Sequence, residues 1–394
     1  MKTMAVVPAV SGRTGEWIPD PGLGVYVHIP FCVHRCHYCD FNTYEGQDSL
    51  HGAYVDALVR HIESTPNPAR PATSVFFGGG TPTLLAASDL ARILEAVRSR
   101  IGLDSDAEIT VEANPETVDE AKFHALGAAG FNRVSIGVQS LVPHVLQGLG
   151  RTHSAEVALD AIAAARRAGF EDINVDLIYG SQWESTADWL RSLDGILDAG
   201  PDHVSAYALT IESGTPLATL VDTGRVADVD PDVQADRHTI ACEVLAAGGF
   251  TRYEISNWAR AGRASRHNVL YWCAGDYYGF GAGAHGHIAG RRSWAVRLPR
   301  EFISRASSGR SVEAGSEFLD DDARAGEALM LGLRLASGVD LDGFVGRFGH
   351  QALTARRAVI DGLADRGLLD VGPTHLRIPG RRTLVANEVT AALL

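Results

Sequence analysis

Short runs of β-branched and aromatic residues recur along the chain, each followed by an Ala- and Leu-rich stretch with helical spacing. The runs are Leu23 to Ile29, Ser74 to Phe77, Glu108 to Ala113, Arg133 to Val138, Asp172 to Tyr179 and His203 to Leu209. Between them lie amphipathic stretches such as Ser88 to Arg100, Asp119 to Ala129, Ser154 to Ala168 and Ser185 to Ala199. Several are closed by a glycine just past the end, as at Gly130 and Gly169. Strand and helix alternating at intervals of roughly 25 to 50 residues is the mark of βα units around a parallel sheet. A closed eight-unit barrel needs about 250 residues and two more units. The pattern loses its regularity after Phe250, so the expected fold class is α/β, with a partial (β/α)6 TIM-like barrel.

The remainder divides further. Residues 1–22 read as a flexible leader and 23–301 as the core, with 250–300 as a ligand-binding segment. The stretch 302–316, rich in Ser, Gly and Arg, reads as a linker. Beyond it, Asp320 to Ala336 and Gln351 to Arg366 read as helices, Leu368 to Ile378 as a hairpin around Gly372 and Pro373, and Arg382 to Leu394 as a last helix. Residues 317–394 thus predict a small C-terminal α+β winged-helix-like domain.

Composition narrows the function classes. The chain has 394 residues, 45% hydrophobic, with 48 acidic against 35 basic residues and a formal net charge of −13. That balance argues against nucleic acid as a partner, as does the run Asp320, Asp321, Asp322 in the winged appendage. No apolar run is long enough to cross a bilayer. The first twenty residues carry no convincing export signal, which predicts a cytoplasmic protein with reduced thiols.

Of five cysteines, three fall in eight residues. Cys32, Cys36 and Cys39 form a C-x3-C-x2-C spacing just past the first predicted strand. Three thiolates on one loop can hold three corners of a cubane iron–sulfur cluster and leave one iron open. The alternative is a zinc site completed by His28, His34 or His37, although paired C-x2-C spacing is the commoner zinc pattern. The other strand ends carry Gly78-Gly79-Gly80-Thr81-Pro82, then Glu112, Gln139, Asp176 with Ile178, and Ala208, while Arg151 follows in a loop. Functional groups of parallel sheets gather at such ends.

The cysteine spacing, with Tyr38 before its third member, resembles the radical S-adenosylmethionine (SAM) superfamily. Tyr26-x-His-Ile-Pro-Phe-Cys, Gly-Gly-Gly-Thr-Pro, Glu112-x-Asn-Pro, Gln139-Ser and Asp176-Leu-Ile-Tyr-Gly resemble one branch, the oxygen-independent coproporphyrinogen III oxidase-like family. This branch holds the dehydrogenases and the heme chaperones of the HemW type, and the likeness covers about nine-tenths of the chain. It implies a [4Fe-4S] cluster on Cys32, Cys36 and Cys39, and SAM held by Tyr26, Phe41, Gly79, Gly80, Thr81, Glu112, Gln139, Arg151, Asp176, Ile178 and Ala208. Among these, a guanidinium suits the SAM carboxylate, carboxylate and amide suit the ribose, and apolar surface suits the adenine.

Two features separate the branches. The dehydrogenases carry a cysteine two places after the third, where this chain has Phe41. The chaperones carry His-Asn-x-x-Tyr-Trp, matched by His267-Asn268-Val-Leu-Tyr271-Trp272. The resemblance therefore implies a heme chaperone, with His267 as an axial ligand, that passes heme to acceptor proteins, respiratory enzymes among the candidates. A buried structural histidine is the competing reading of His267. Arg291, Arg292 and Arg297 are candidates for heme propionates, with a solvated basic turn as their alternative. Gly281 to Gly286 formally satisfies G-x-G-x-x-G but lacks the strand-to-helix setting of a dinucleotide site, and is expected to line the cleft. Coproporphyrinogen III dehydrogenation is the alternative function, with peripheral membrane contact and a homodimer left open. The family's Pro-Gly turn after Tyr-Gly is replaced here by Ser181-Gln182-Trp183.

Overall fold

The computed structural model describes residues 14–394. Six strands run parallel: β1 (Leu23–Ile29), β2 (Ala72–Gly79), β3 (Leu103–Ala113), β4 (Arg133–Gln139), β5 (Asp172–Tyr179) and β6 (His203–Ala208). Helices α1 (His51–Ser64), α2 (Ala87–Arg100), α3 (Glu120–Ala129), α4 (Pro143–Leu149), α5 (Ala155–Arg167) and α6 (Thr186–Ala199) fall between them. Helices α7 (Pro216–Asp222) and α8 (Pro231–Ala247) follow β6. Local sequence sets the helix ends. Asp119 caps α3 by accepting from the Lys122 backbone N–H, and Gly130 leaves it at φ +107°. Ser185 and Asp188 form a reciprocal capping box on α6.

The partial barrel is larger than the six predicted units. Strands β7 (Thr251–Arg252), β8 (Asn257–Ala259), β9 (Asp276–Phe280), β10 (His285–Ile288), β11 (Arg291–Ala295) and β12 (Glu313–Phe318) extend it to twelve, in the order β12-β11-β10-β9-β1-β2-β3-β4-β5-β6-β8-β7. β9 lies parallel to β1, so seven strands are parallel, and antiparallel strands flank them on both sides.

Period-two alternation gives the barrel two unlike faces. Val75, Phe77, Ile109, Val111, Val134, Ile136, Ile173, Val175, Val204 and Ala206 point outward and are buried under the helices. The alternate positions form a polar lumen in layers that the strand register aligns. Ser74 lies beside Glu108, Thr110 beside Arg133, Ser135 beside Asn174, Asn174 beside His203, and Gly137 beside Asp176. Most of these side chains are buried, Asp176 at the cavity end only partly, and a buried polar group costs free energy unless hydrogen-bonded. Asn174 meets that condition by donating to Ser135 Oγ at 2.6 Å and Asp176 Oδ1 at 2.8 Å, with His203 Nδ1 paired to its Oδ1 at 2.6 Å.

A plug closes the lumen at the N-terminal ends of the strands. It is α9 (Arg266–Trp272), which carries the His-Asn-x-x-Tyr-Trp motif. Glu108 accepts from Ser265 Oγ at 3.2 Å and from the backbone N–H groups of Arg266 and His267 at 2.8 and 3.0 Å. A carboxylate thus satisfies the orphan donors of the first turn.

The expected linker is not one. Residues 302–316 belong largely to α10 (Pro299–Ser307), which buries Phe302 against α1, and to edge strand β12, which pairs with β11. Their small and polar residues reflect an exposed edge, not a tether. Residues 1–13 of the expected leader lie outside the described residues. The rest of it is anchored: Trp17 is buried in the second hydrophobic cluster, and Ile18 N–H donates to Cys273 Sγ at 3.3 Å.

That cluster centres on the C-terminal unit of α11 (Asp321–Gly332), α12 (Leu341–Ala355), α13 (Arg357–Asp365), a three-stranded sheet and α14 (Ala386–Ala391). It packs on Tyr253, Val269 and Cys273 of the barrel. The α12 helix starts ten residues before the expected Gln351 and breaks at Gly349, where φ is +81°. The expected last helix is a 3-10 turn over Gly380–Val385 followed by short α14.

Candidate functional site

At the C-terminal ends of the strands the lumen opens into a cavity of about 350 Å³. Cys32, Cys36 and Cys39 line one side of it. Each thiol has a polar neighbour from a different place: Thr81 Oγ1 donates toward Cys32 Sγ at 3.9 Å, Arg151 Nη1 donates to Cys36 Sγ at 3.4 Å, and Cys39 Sγ meets Thr43 Oγ1 at 3.9 Å. Burial pushes the Cys32 thiol up to about 11 and raises that of Cys39. Metal ligation, which requires thiolates, would offset that cost.

The glycine run is held by the strand end opposite. Gly80 N–H donates to Ile29 O at 2.8 Å and Thr81 N–H to Phe31 O at 2.7 Å. A side chain at Gly80 would place its Cβ 2.5 Å from Phe31 O, so only glycine permits this approach. Gly79, at φ +114°, donates its N–H to Glu112 Oε2 at 3.1 Å. Burial, reinforced by the charge of Asp176, pushes the Glu112 carboxyl up to about 8. Asp176 accepts from Ser135 Oγ and Asn174 Nδ2, both at 2.8 Å, and burial raises its pKa too. Arg151 is fixed by Asn114 Oδ1 at 2.9 Å and Gly137 O at 2.7 Å, and nearby Tyr38 and Cys36 favour its charged form against burial.

Ten of the predicted SAM residues line this cavity: Phe41, Gly79, Gly80, Thr81, Glu112, Gln139, Arg151, Asp176, Ile178 and Ala208. Gln139 holds φ +64°, a costly backbone for a non-glycine residue at a strand end. Tyr26 is not on the lining. Its ring stacks on Phe76 and its hydroxyl pairs with His28 Nδ1 at 2.9 Å. Asn114, Ser135 and Tyr207 also line the cavity and were missed, though the alternation that puts Ser135 and Tyr207 inward is legible in the strands.

The sequence places the chain among known proteins. The model of the radical SAM superfamily matches residues 26–196, and that of the HemN C-terminal domain matches 319–381. The heme chaperone HemW of Mycobacterium tuberculosis (strain CDC 1551 / Oshkosh) is 43% identical over 95% of this chain and 96% of its own length. The chain belongs to the HemW family. A second member, heme chaperone HemW of Bacillus subtilis (strain 168), is 33% identical over 94% of this chain and 98% of its own. Mitochondrial radical S-adenosyl methionine domain-containing protein 1 of Bos taurus is 40% identical over 81% of the chain and 70% of its own. Among solved structures, coproporphyrinogen III oxidase (HemN) of Escherichia coli superposes with a TM-score of 0.81 over 97% of the chain and 92% of its own, at 21% identity, which speaks to fold alone.

As a radical SAM family, HemW-type chains take a [4Fe-4S] cluster and SAM, and the residues here fit both. Only three cysteines reach the cavity, because Cys273 is fully buried in the second cluster and Cys242 packs from α8. Among the described residues, no group of three His, Cys, Asp or Glu side chains converges tightly enough to hold a single metal ion.

The heme assignments fare differently. His267 is 1% exposed, its Nδ1 pairs with Ser74 Oγ at 2.9 Å, and its Nε2 pairs with Tyr271 OH at 2.9 Å. Both ring nitrogens are committed, one to β2 and one within the plug, at the opposite end of the lumen from the cysteines. The structural reading of this histidine therefore replaces the axial-ligand one. Arg291 and Arg292 are tied to Glu313, Glu317 and Glu327 at 2.6 to 2.8 Å. The run Gly281 to Gly286 does not line the cysteine cavity but braces its loop: Asn42 Nδ2 donates to Ala282 O at 3.0 Å, and Gly281 packs on His28 O.

Proposed function

We propose that the chain is a heme chaperone, which binds heme and delivers it to acceptor proteins while carrying a [4Fe-4S] cluster and SAM. The observation that carries this reading is the 43% identity to a HemW heme chaperone across 95% of the chain. Phe41 supports it, because the position where dehydrogenases of the branch carry a further cysteine is here an exposed phenyl group on the cavity rim.

In this reading Cys32, Cys36 and Cys39 hold three irons. Gly79, Gly80, Thr81 and Glu112 receive the amino end of SAM, Arg151 its carboxylate, Asp176 and Gln139 its ribose, and Ile178 and Ala208 its adenine. A bound cluster supplies a single electron and an open coordination site. The chain's own residues do the rest: Arg151 and Asp176, held by their hydrogen bonds, fix orientation, and the raised Glu112 carboxyl can give up a proton when a cation arrives beside it. Cytoplasmic placement suits these thiols, and among the described residues no helix is long and apolar enough to cross a membrane. Respiratory enzymes are the acceptors we favour.

The test is direct. Anaerobically reconstituted protein is loaded with heme and mixed with a heme-free respiratory enzyme, and transfer is followed by the loss of the donor Soret band and recovery of acceptor activity. Conversion of coproporphyrinogen III to protoporphyrinogen IX by the same preparation, without heme transfer, would overturn the proposal in favour of the dehydrogenase.

A further inference from the structure

If the chain binds heme and His267 is sealed, another group must meet the iron. The cysteine cavity is a poor candidate, since a cluster and SAM would together take up its roughly 350 Å³. A second chamber of about 620 Å³ shares no lining residue with it. This chamber lies between the C-terminal ends of α1 and α10 and the antiparallel extension of the sheet, and its size falls within the range of cofactor pockets.

The lining has the chemistry of a planar, dianionic, metal-bearing ligand. His61, on the last turns of α1, lines the chamber with its ring edge-on to Phe280 at 5.1 Å and Phe302 at 5.6 Å. Neither of its ring nitrogens has a hydrogen-bond partner among the described residues, and Nδ1 is enclosed. This is the reverse of His267, whose two nitrogens are both engaged. Burial pushes the His61 pKa down to about 4, so near neutrality the imidazole is uncharged and its lone pair is available to a metal.

Two cations flank it. Arg60 Nη1 donates only to Ser307 Oγ at 3.3 Å, and Arg310 donates to Ser308 Oγ at 2.9 Å and Ser304 Oγ at 3.1 Å. Neither has a carboxylate partner among the described residues. The one acid on the lining, Glu313, is already paired to Arg291 at 2.6 Å. Two guanidiniums held by neutral hydroxyls are free for two carboxylates. Trp294 supplies an aromatic wall. Gly315 lies so close behind it that a Cβ there would stand 2.5 Å from the indole.

We propose that this chamber is the heme site, with the His61 imidazole as iron ligand and Arg60 and Arg310 pairing the two propionates. The proposal rests on the heme-chaperone reading and adds to it the location and the ligand set. It places the heme in a chamber that shares no lining residue with the cysteine cavity.

The experiment is a hemin titration of the cluster-loaded full chain and of His61→Ala, His61→Phe, His267→Ala and the double variant Arg60→Gln/Arg310→Gln, read by Soret absorbance and electron paramagnetic resonance. The parent chain is expected to show a histidine-ligated heme spectrum. Both His61 variants are expected to lose it, and free imidazole is expected to restore it in His61→Ala, whose cavity admits the ring. The phenyl of His61→Phe keeps the packing on Phe280 and Phe302, which separates loss of ligand from loss of fold. The arginine pair is expected to weaken hemin binding but not that of hemin dimethyl ester, which lacks the carboxylates. Unchanged spectra in both His61 variants, or loss in His267→Ala alone, would overturn the site while leaving the chaperone reading intact. No heme spectrum in the parent chain would overturn the chaperone reading itself.

Discussion

The lumen plug makes a quantitative demand on Glu108. Its carboxylate, 4% exposed, accepts one hydroxyl and two backbone N–H hydrogen bonds from the start of α9. It also lies near the buried guanidinium of Arg133, whose charged form it favours. Hydrogen bonds to a charged acceptor contribute about 1.5 to 3 kcal/mol each, and each donor left buried without a partner costs about 1 to 3 kcal/mol. These terms overlap because one oxygen serves two donors, so Glu108→Ala is expected to cost about 3 to 5 kcal/mol. With a urea m-value of about 3 kcal/mol/M or more for a chain this size, the unfolding midpoint should fall by about 1 M. Near-ultraviolet circular dichroism, which reports Tyr271 and Trp272 in the plug, should change in step. A midpoint shift within about 0.3 M of the parent would refute the argument that Glu108 holds the motif as a structural element. In that case the His267 nitrogens would have to be reconsidered as available.

Two further expectations concern the cavity. Glu112 is pushed up to about 8 from a usual 4.5, so between those values the folded chain keeps a proton that the unfolded chain has lost. Stability from this group therefore falls as pH rises through that window. A cation bound beside Glu112 favours the ionised form, so SAM affinity measured by equilibrium dialysis should rise by up to about tenfold per pH unit below 8. Glu112→Gln should bind more weakly with a flat profile, and parallel profiles for the two proteins would exclude the role. Gly80→Ala should lower iron content and SAM binding together, because its Cβ meets Phe31 O at 2.5 Å. Gly127→Ala, where a Cβ meets nothing, serves as the control and should stabilise α3 by up to about 1 kcal/mol; equal iron content in the two variants would contradict the cradle argument.

Much of the fold is legible because its signals are local. Leu23–Ile29 and Asp172–Tyr179 stand as the pattern predicts, and the caps at Asp119, Ser154 and Ser185 mark three helices to within a residue. The cavity is legible for a different reason: parallel strands deliver their C-terminal residues to one place, so ten residues far apart in sequence arrive together. What could not be read is non-local. Asp276–Phe280 pairs with β1, more than 240 positions earlier, and nothing in its own pattern names that partner. Residues 302–316 look like a tether by composition, because an exposed edge strand needs polar residues as much as a linker does. His267 shows the limit most plainly, since a motif gives residue types while the hydrogen bonds of its ring nitrogens depend on Ser74 and the strand register.

The two ends of the lumen set different constraints on the same strands. Strands enter beside the plug with residues hydrogen-bonded to it, such as Ser74 and Glu108, and leave at the cavity with residues that line it, such as Gly79, Glu112 and Gly137. A buried polar network rigidifies only when every member is paired, and the layer around Asn174 ties the two ends together through Ser135, Asp176 and His203. A fault in the plug therefore reaches the SAM end through Asn268, Tyr253, His203, Asn174 and Asp176, while the chamber at His61, outside the sheet, has no link in that chain. Glu108→Ala should accordingly weaken SAM binding and leave hemin binding at its parental value. Equal loss of both would mean that the heme depends on the lumen, and would move its site away from His61.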